Sequence, residues 1–302
     1  MKNVTILILF IIFSSCNQTK KLTFERIAIQ GNNNFYGFRT SKGDTIIPLD
    51  KYDFLDSLDI KGMIRTHNNG KEGFIDIYQN IVIPFEYYKV YNFSENLAIV
   101  RKQKNGKEGY INRKGELVIG YRFDNAYYFY KCGLAEVENN GKVGFINKKG
   151  EIIIPIEYDY VISTKYDDFV VVSKNKKCAI FSGNGKQLTG FEYDKVYKNY
   201  DEGWYTLMSN GLMLVEKNGD FSYLNTEYKI IVPFGTYDIA KPFDKNRIAI
   251  VGNQEKYGMI NEIGKVITPI EYDYISELKN EVYAFEKKSK EGFLNNKGKV
   301  IN

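Results

Sequence analysis

At 302 residues the chain is longer than the usual single domain, and at 43% hydrophobic residues it is not a disordered polymer. Tyr (25), Phe (20) and Gly (26) are plentiful while Pro is scarce (6), a mixture of β-favouring aromatics and turn-forming glycines that suits many short strands. The 42 basic and 37 acidic residues, net charge +5, interleave without a basic stripe, which argues against nucleic acid as a partner.

The first fifteen residues differ from the rest. Lys2 precedes an apolar run over residues 4–13, and Phe13-Ser14-Ser15-Cys16 supplies small residues ending in cysteine. A run of ten is too short to cross a bilayer, which takes about 20 residues, so it reads as a signal peptide. The segment resembles a bacterial lipoprotein signal, although Phe13 stands where Leu is more usual. The resemblance implies cleavage after residue 15, lipidation of Cys16, a short tether over 16–23 and anchoring by acyl chains at about 0.8 kcal/mol per buried methylene. The alternative is an ordinary signal peptide cut near Cys16. Asn17-Gln18-Thr19-Lys20-Lys21 carries no acidic run, so the expected place is the outer membrane, facing the periplasm.

From residue 24 to residue 302 one unit recurs about eight times and is expected to form a single all-β domain. The anchor is a glycine before a large apolar residue: Gly37, Gly73, Gly109, Gly144, Gly258 and Gly292, with degenerate copies at Ala179 and Ser222. Successive steps are 36, 36, 35, 35, 43, 36 and 34 residues, so one connection carries an insertion. Three residues after the anchor comes a turn-forming residue such as Asn112 or Asn147, and three further on a glycine at Gly43, Gly115, Gly150, Gly185, Gly264 and Gly298, which suits positive φ. Eleven residues after the anchor stands a proline or glycine (Pro48, Pro84, Gly120, Pro155, Gly190, Pro233, Pro269), then an aromatic-aspartate pair ending in Asp53, Asp124, Asp159, Asp194, Asp238 or Asp273. Each unit is predicted to be a meander of four short strands, hinged at tight hairpins such as Asn105-Gly106-Lys107. Its third strand should end at the proline and its fourth begin at the aromatic-aspartate step.

These residues resemble the WG (KWG) repeat family, which implies a β-repeat structure and little biochemistry. The tryptophan before the family's anchor glycine is replaced here by Tyr36, Glu72, Glu108, Val143, Cys178, Phe221, Tyr257 and Glu291, which removes any role the family gives it. Eight units close into a propeller-like ring or stack as an open solenoid. In a ring, residues 22–29 would complete a last unit left one strand short.

Catalysis is poorly supplied. The single histidine, His67, sits beside a predicted turn, and no nucleophile elbow, phosphate loop or metal-ligand constellation is present, so neither enzyme, cofactor nor metal is expected. Cys132 and Cys178 fall at different repeat positions and are expected as separate thiols. The recurring aspartates are expected to bond turn amides. The candidate binding loop is the insertion, with Tyr197, Tyr200, Trp204 and Tyr205, because insertions in repeat arrays map to loops on one face. The expected function is a non-enzymatic, monomeric interaction module of the cell envelope with a protein partner. The alternative is carbohydrate or peptidoglycan binding through the Trp204 loop. Tyr127-Tyr128-Phe129-Tyr130 cannot all face one way on a strand, so part of it should be exposed.

Overall fold

The computed structural model describes residues 4–9, 24–29, 36–49, 51–163, 167–201 and 204–301, and among them there is no helix. Two compact units are present, one of residues 1–128 with 136–140, the other of residues 129–135 with 141–302.

In the first unit every sheet is a four-stranded antiparallel meander. Phe54–Leu58, Met63–Asn68, Lys71–Asp76 and Ile81–Tyr87 form one, and Lys89–Val90, Leu97–Arg101, Glu108–Asn112 and Leu117–Phe123 the next. The second unit repeats the plan in Ile239–Ala240, Ile248–Asn253, Lys256–Asn261 and Val266–Tyr272. The sequence reads this frame correctly, because turn chemistry fixes it locally. Asn112 Oδ1 accepts the N–H groups of Lys114 (2.9 Å) and Glu116 (3.1 Å), Asn147 does the same for Lys149 and Glu151, and all six turn glycines have positive φ. Where the glycine is missing, Gln79 and Tyr228 are forced into the same left-handed region (φ 69° and 60°).

Three details differ from the sequence reading. In three repeats the proline lies inside the outer strand, as Ile81–Tyr87 runs through Pro84, Ile152–Tyr158 through Pro155 and Val266–Tyr272 through Pro269, whereas Thr45–Ile47 and Ile230–Val232 end before Pro48 and Pro233 as expected. A bulge makes this tolerable. Glu72 pairs with Tyr87 and Phe74 with Ile83, so two residues of the anchor strand oppose four of the outer strand, and the proline needs no ladder partner on an edge. The aromatic-aspartate step therefore closes its own repeat's outer strand and leads into the two-residue inner strand of the next sheet, as Lys89–Val90 does against Leu97–Arg101. Second, Asn105-Gly106-Lys107 is part of a longer loop, whereas Asn69-Gly70 makes a true two-residue hairpin, with φ of 51° and 74° and Asn68 opposite Lys71. Third, the last repeat supplies its own fourth strand, Val300–Ile301, so no N-terminal strand is needed there. Phe24–Ile29 instead pairs with Tyr36–Thr40 and with Val4–Leu9, the apolar run read as a signal.

The core explains why a repeat cannot stand alone. Along Phe169–Lys174, Phe169 and Val171 enter one buried cluster with Met213, Val215 and Leu224. Val170 and Val172 enter another, with Phe145, Ile154 and Tyr158. Successive side chains point to opposite faces, and here each face packs on a different neighbouring repeat. That accounts for the unbroken apolar runs in the inner strands. At about 1.5–3 kcal/mol for each fully buried large aliphatic, one isolated meander would forfeit half of its driving force.

Candidate functional site

The aspartates recurring at the end of each repeat are bound into the frame. Asp159 accepts the N–H of Asn175 at 2.8 Å, in the hairpin of the following repeat, and Lys142 Nζ at 2.6 Å, in the hairpin of its own. Asp124 takes Asn140 N–H (2.7 Å) and Lys107 (2.5 Å), and Asp194 takes Asn218 N–H and Lys177, both at 2.6 Å. Asp273 does the same with Lys288 and Lys256, and Asp238 accepts Gln254 N–H at 2.9 Å. The lysine hydrogen bond, seconded by the turn amide, holds the carboxyls of Asp124, Asp159, Asp194 and Asp273 below the usual carboxylate range. The carboxylates of Asp124, Asp159, Asp194 and Asp273 each clip two adjacent hairpins together, whereas Asp238 reaches only the hairpin that follows it. Asp53 is the exception: it is exposed and lies 3.7 Å from His67 Nδ1.

The anchor glycines are required by close approach. A Cβ at Gly73, Gly144 or Gly258 would stand 2.6, 2.7 or 2.6 Å from the carbonyl oxygen ten residues on, that of Ile83, Ile154 or Thr268, where the bulged outer strand folds against the anchor strand. Gly37 and Gly109 meet Ile47 and Ile119 in the same way, while Gly292 faces the ring of Phe285.

The insertion is a β-ribbon. Asn199–Asp201 pairs with Trp204–Thr206, placing Tyr200 opposite Tyr205 and Asp201 opposite Trp204. Its base is fastened on two sides: buried Asp167 accepts Thr206 Oγ1 (3.1 Å) and Leu207 N–H (3.3 Å), and Asn199 Nδ2 donates to Phe243 O at 2.9 Å. Tyr197 packs against Phe221, lies under Lys195 Nζ at 4.2 Å and donates its hydroxyl to Glu216 at 2.6 Å. It therefore serves the core at the ribbon's root. Tyr205 is 59% exposed. The side chains of Tyr200 and Trp204 lie outside the described residues, as does Cys16.

Beside the ribbon's base is a cavity of about 270 Å³, floored by Ile248 and Ile250 and flanked by the ion pairs Lys241–Glu277 (4.0 Å) and Lys245–Glu281. Tyr283 donates to Asp244 within it, and burial pushes that phenol far above its ordinary range. Elsewhere, Cys132 and Cys178 are free thiols, raised above the usual thiol range by burial and so poor nucleophiles. Among the described residues no group of three or more His, Cys, Asp or Glu is placed to hold a metal ion. Tyr127 and Tyr128 are exposed while Phe129 is buried.

The contacts made by two of the residues that replace the family's tryptophan were not legible in the sequence. Glu72 and Glu108 each turn a carboxylate oxygen onto an N–H of the next inner strand, Val90 at 2.8 Å and Ala126 at 2.7 Å. The substitution was visible in the repeat alignment, but the acceptor's partner lies 18 residues away in another repeat.

Tandem four-stranded meanders with an anchor glycine and a terminal aspartate define a β-repeat protein. Residues 73–107, 109–142, 144–178 and 257–290 match the model of the WG containing repeat, so these four units are WG repeats. No curated protein matches. Among solved structures, the chain is similar to a eukaryotic initiation factor (11% identity, 94% of this chain and 96% of that one, TM-score 0.38). It is also similar to Kluyveromyces lactis Hsv2p (10%, 78% and 88%, 0.36) and to a streptogramin B lyase (15%, 80% and 92%, 0.29).

Proposed function

We propose that this WG-repeat protein is a non-catalytic interaction module of the cell envelope, displayed from a membrane by a lipid on Cys16, which meets a protein partner through the outer strands of its repeats. The supporting observation is a repeated exposed aliphatic position. Eight residues after the anchor stand Ile81, Leu117, Ile152, Ile230, Val266 and Val300, all exposed, with Ile81 at 62%. Neither the turns nor the core calls for an aliphatic there, and its recurrence at one repeat position supports a contact with another molecule. The register shifts of the seven-residue outer strands, with the proline inside Ile81–Tyr87, Ile152–Tyr158 and Val266–Tyr272, obstruct strand addition there, so recognition would run through side chains.

Photo-cross-linking from Leu117 or Val266 in intact cells tests the reading. One discrete protein adduct from these positions, absent from a probe at exposed Lys149, is expected; an identical adduct pattern from all three would overturn it. Replacing Cys16 by Ser should move the protein from the membrane to the soluble fraction, and continued membrane association would refute the lipid anchor.

A further inference from the structure

A second hollow, independent of the insertion and of the outer strands, lies in the first unit. It measures about 250 Å³ and is walled by Tyr91, Tyr127 and Tyr128 over Ile99, with Glu108 and Asn125 at its floor. Tyr127 and Tyr128 are 42% and 37% exposed, aromatic surface that the core does not consume. Tyr127 is held from behind, where Tyr110 Oη donates to its carbonyl at 2.7 Å.

Glu108 is the unusual element. It is 2% exposed, and one oxygen is spent on Ala126 N–H. The other, Oε1, accepts no hydrogen bond; Arg101 Nη2 stands 2.8 Å away but outside hydrogen-bonding alignment. A carboxylate oxygen that is ion-paired without an aligned hydrogen bond keeps lone pairs for a further donor. The arginine neutralises its charge, so the floor selects a donor without selecting a cation. Neutral hydroxyls answer that requirement. Burial keeps the Tyr91, Tyr127 and Tyr128 phenols above their ordinary range, hence protonated and able to donate in turn. A flat C–H face suits the exposed rings. The hollow is a little smaller than the roughly 300 Å³ at which small-molecule clefts begin, which limits it to one ring.

We infer that this hollow is a subsite for a single neutral pyranose ring, stacked on Tyr127 or Tyr128 and donating a hydroxyl to Glu108. The site depends on buried Glu108 in the slot where the family has tryptophan; of the equivalents in the second unit, Val143, Cys178, Phe221 and Tyr257 have no carboxylate to offer, and that of Glu291 is exposed.

Saturation-transfer NMR of the full chain with methyl β-glucopyranoside and with N-acetylglucosamine tests it. Transfer to ring protons is expected, with affinity at least tenfold weaker in Tyr127→Ala. Glu108→Gln should weaken binding similarly while the fold is kept, because the amide oxygen still accepts Ala126 N–H and the NH2 group then faces the hydroxyl; an unchanged circular dichroism spectrum checks this. No transfer from folded wild-type protein, or transfer undiminished in both variants, would overturn the proposal. So would displacement of the sugar by millimolar choline at lower concentration than by a second sugar, which would make the hollow a cation site.

Discussion

The regular repeats and the degenerate pair at Ala179 and Ser222 differ in the anchor side chain, and the outer strand there differs too. At Gly73, Gly109, Gly144 and Gly258 the outer strand is seven residues long, while the first and last glycine anchors, Gly37 and Gly292, carry only Thr45–Ile47 and Val300–Ile301. With Ser222 it shrinks to Ile230–Val232, and the serine hydroxyl donates at 2.7 Å to Val232 O, the very carbonyl that would crowd a side chain there. With Ala179 no outer strand forms. The isolated bridges Cys178–Tyr193 and Phe181–Gln187 and the backbone bond from Leu188 N–H to Ile180 O (2.8 Å) remain, and Thr189 Oγ1 accepts Ile180 N–H at 3.0 Å. A methyl group cannot hydrogen-bond the carbonyl it displaces, whereas a hydroxyl can. The weakened pair is also where the β-ribbon is inserted, between Tyr197 and Leu212, so the one departure from the period sits where the edge ladder is least complete.

The largest effect should come from importing the degenerate residue into a regular repeat. Gly109→Ala or Gly144→Ala places a Cβ against backbone that cannot retreat, and overpacking of this kind costs roughly 1–3 kcal/mol, readable in urea unfolding. Ser222→Ala removes a buried hydrogen bond and strands Val232 O, for about 1 kcal/mol; a stability equal to wild type would show that the hydroxyl is incidental. Ala179→Gly should change stability by no more than about 1 kcal/mol, since relief of crowding opposes the added chain entropy of glycine, yet it should raise hydrogen-exchange protection over residues 187–193.

The smallest effect concerns the aspartate clips. A carboxyl titrating lower in the folded than in the unfolded state adds stability above its unfolded value, near pH 4, and that contribution is lost as pH falls through the folded value. Asp159→Asn with Asp194→Asn should therefore lower the melting temperature at pH 7 and leave it close to wild type at pH 2. An equal loss at both pH values would assign the aspartates a role other than charge pairing.

The frame was legible because its determinants are local: Asn112 and Gly115 fix one turn within four residues, and the sequence displays both. What escaped was non-local. Pro84 looks like a strand end until the register of Glu72 against Tyr87 reveals the bulge that accommodates it. Glu108 was visible as a departure from the family, but its pairing with Ala126 and its place beneath Tyr91 and Tyr127 join three strands. The ribbon was readable as an insertion, while the root that Tyr197 makes with Phe221 and Glu216 depends on the next repeat's strands.

Hydrogen exchange on Gly144→Ala tests the central claim most directly, that a long outer strand such as Ile152–Tyr158 needs a bare anchor glycine beneath it. Amides of Ile152–Tyr158 should lose protection selectively while those of Phe169–Lys174, buried between neighbouring repeats, keep theirs. Undiminished protection over Ile152–Tyr158, or a uniform loss across both segments, would contradict it.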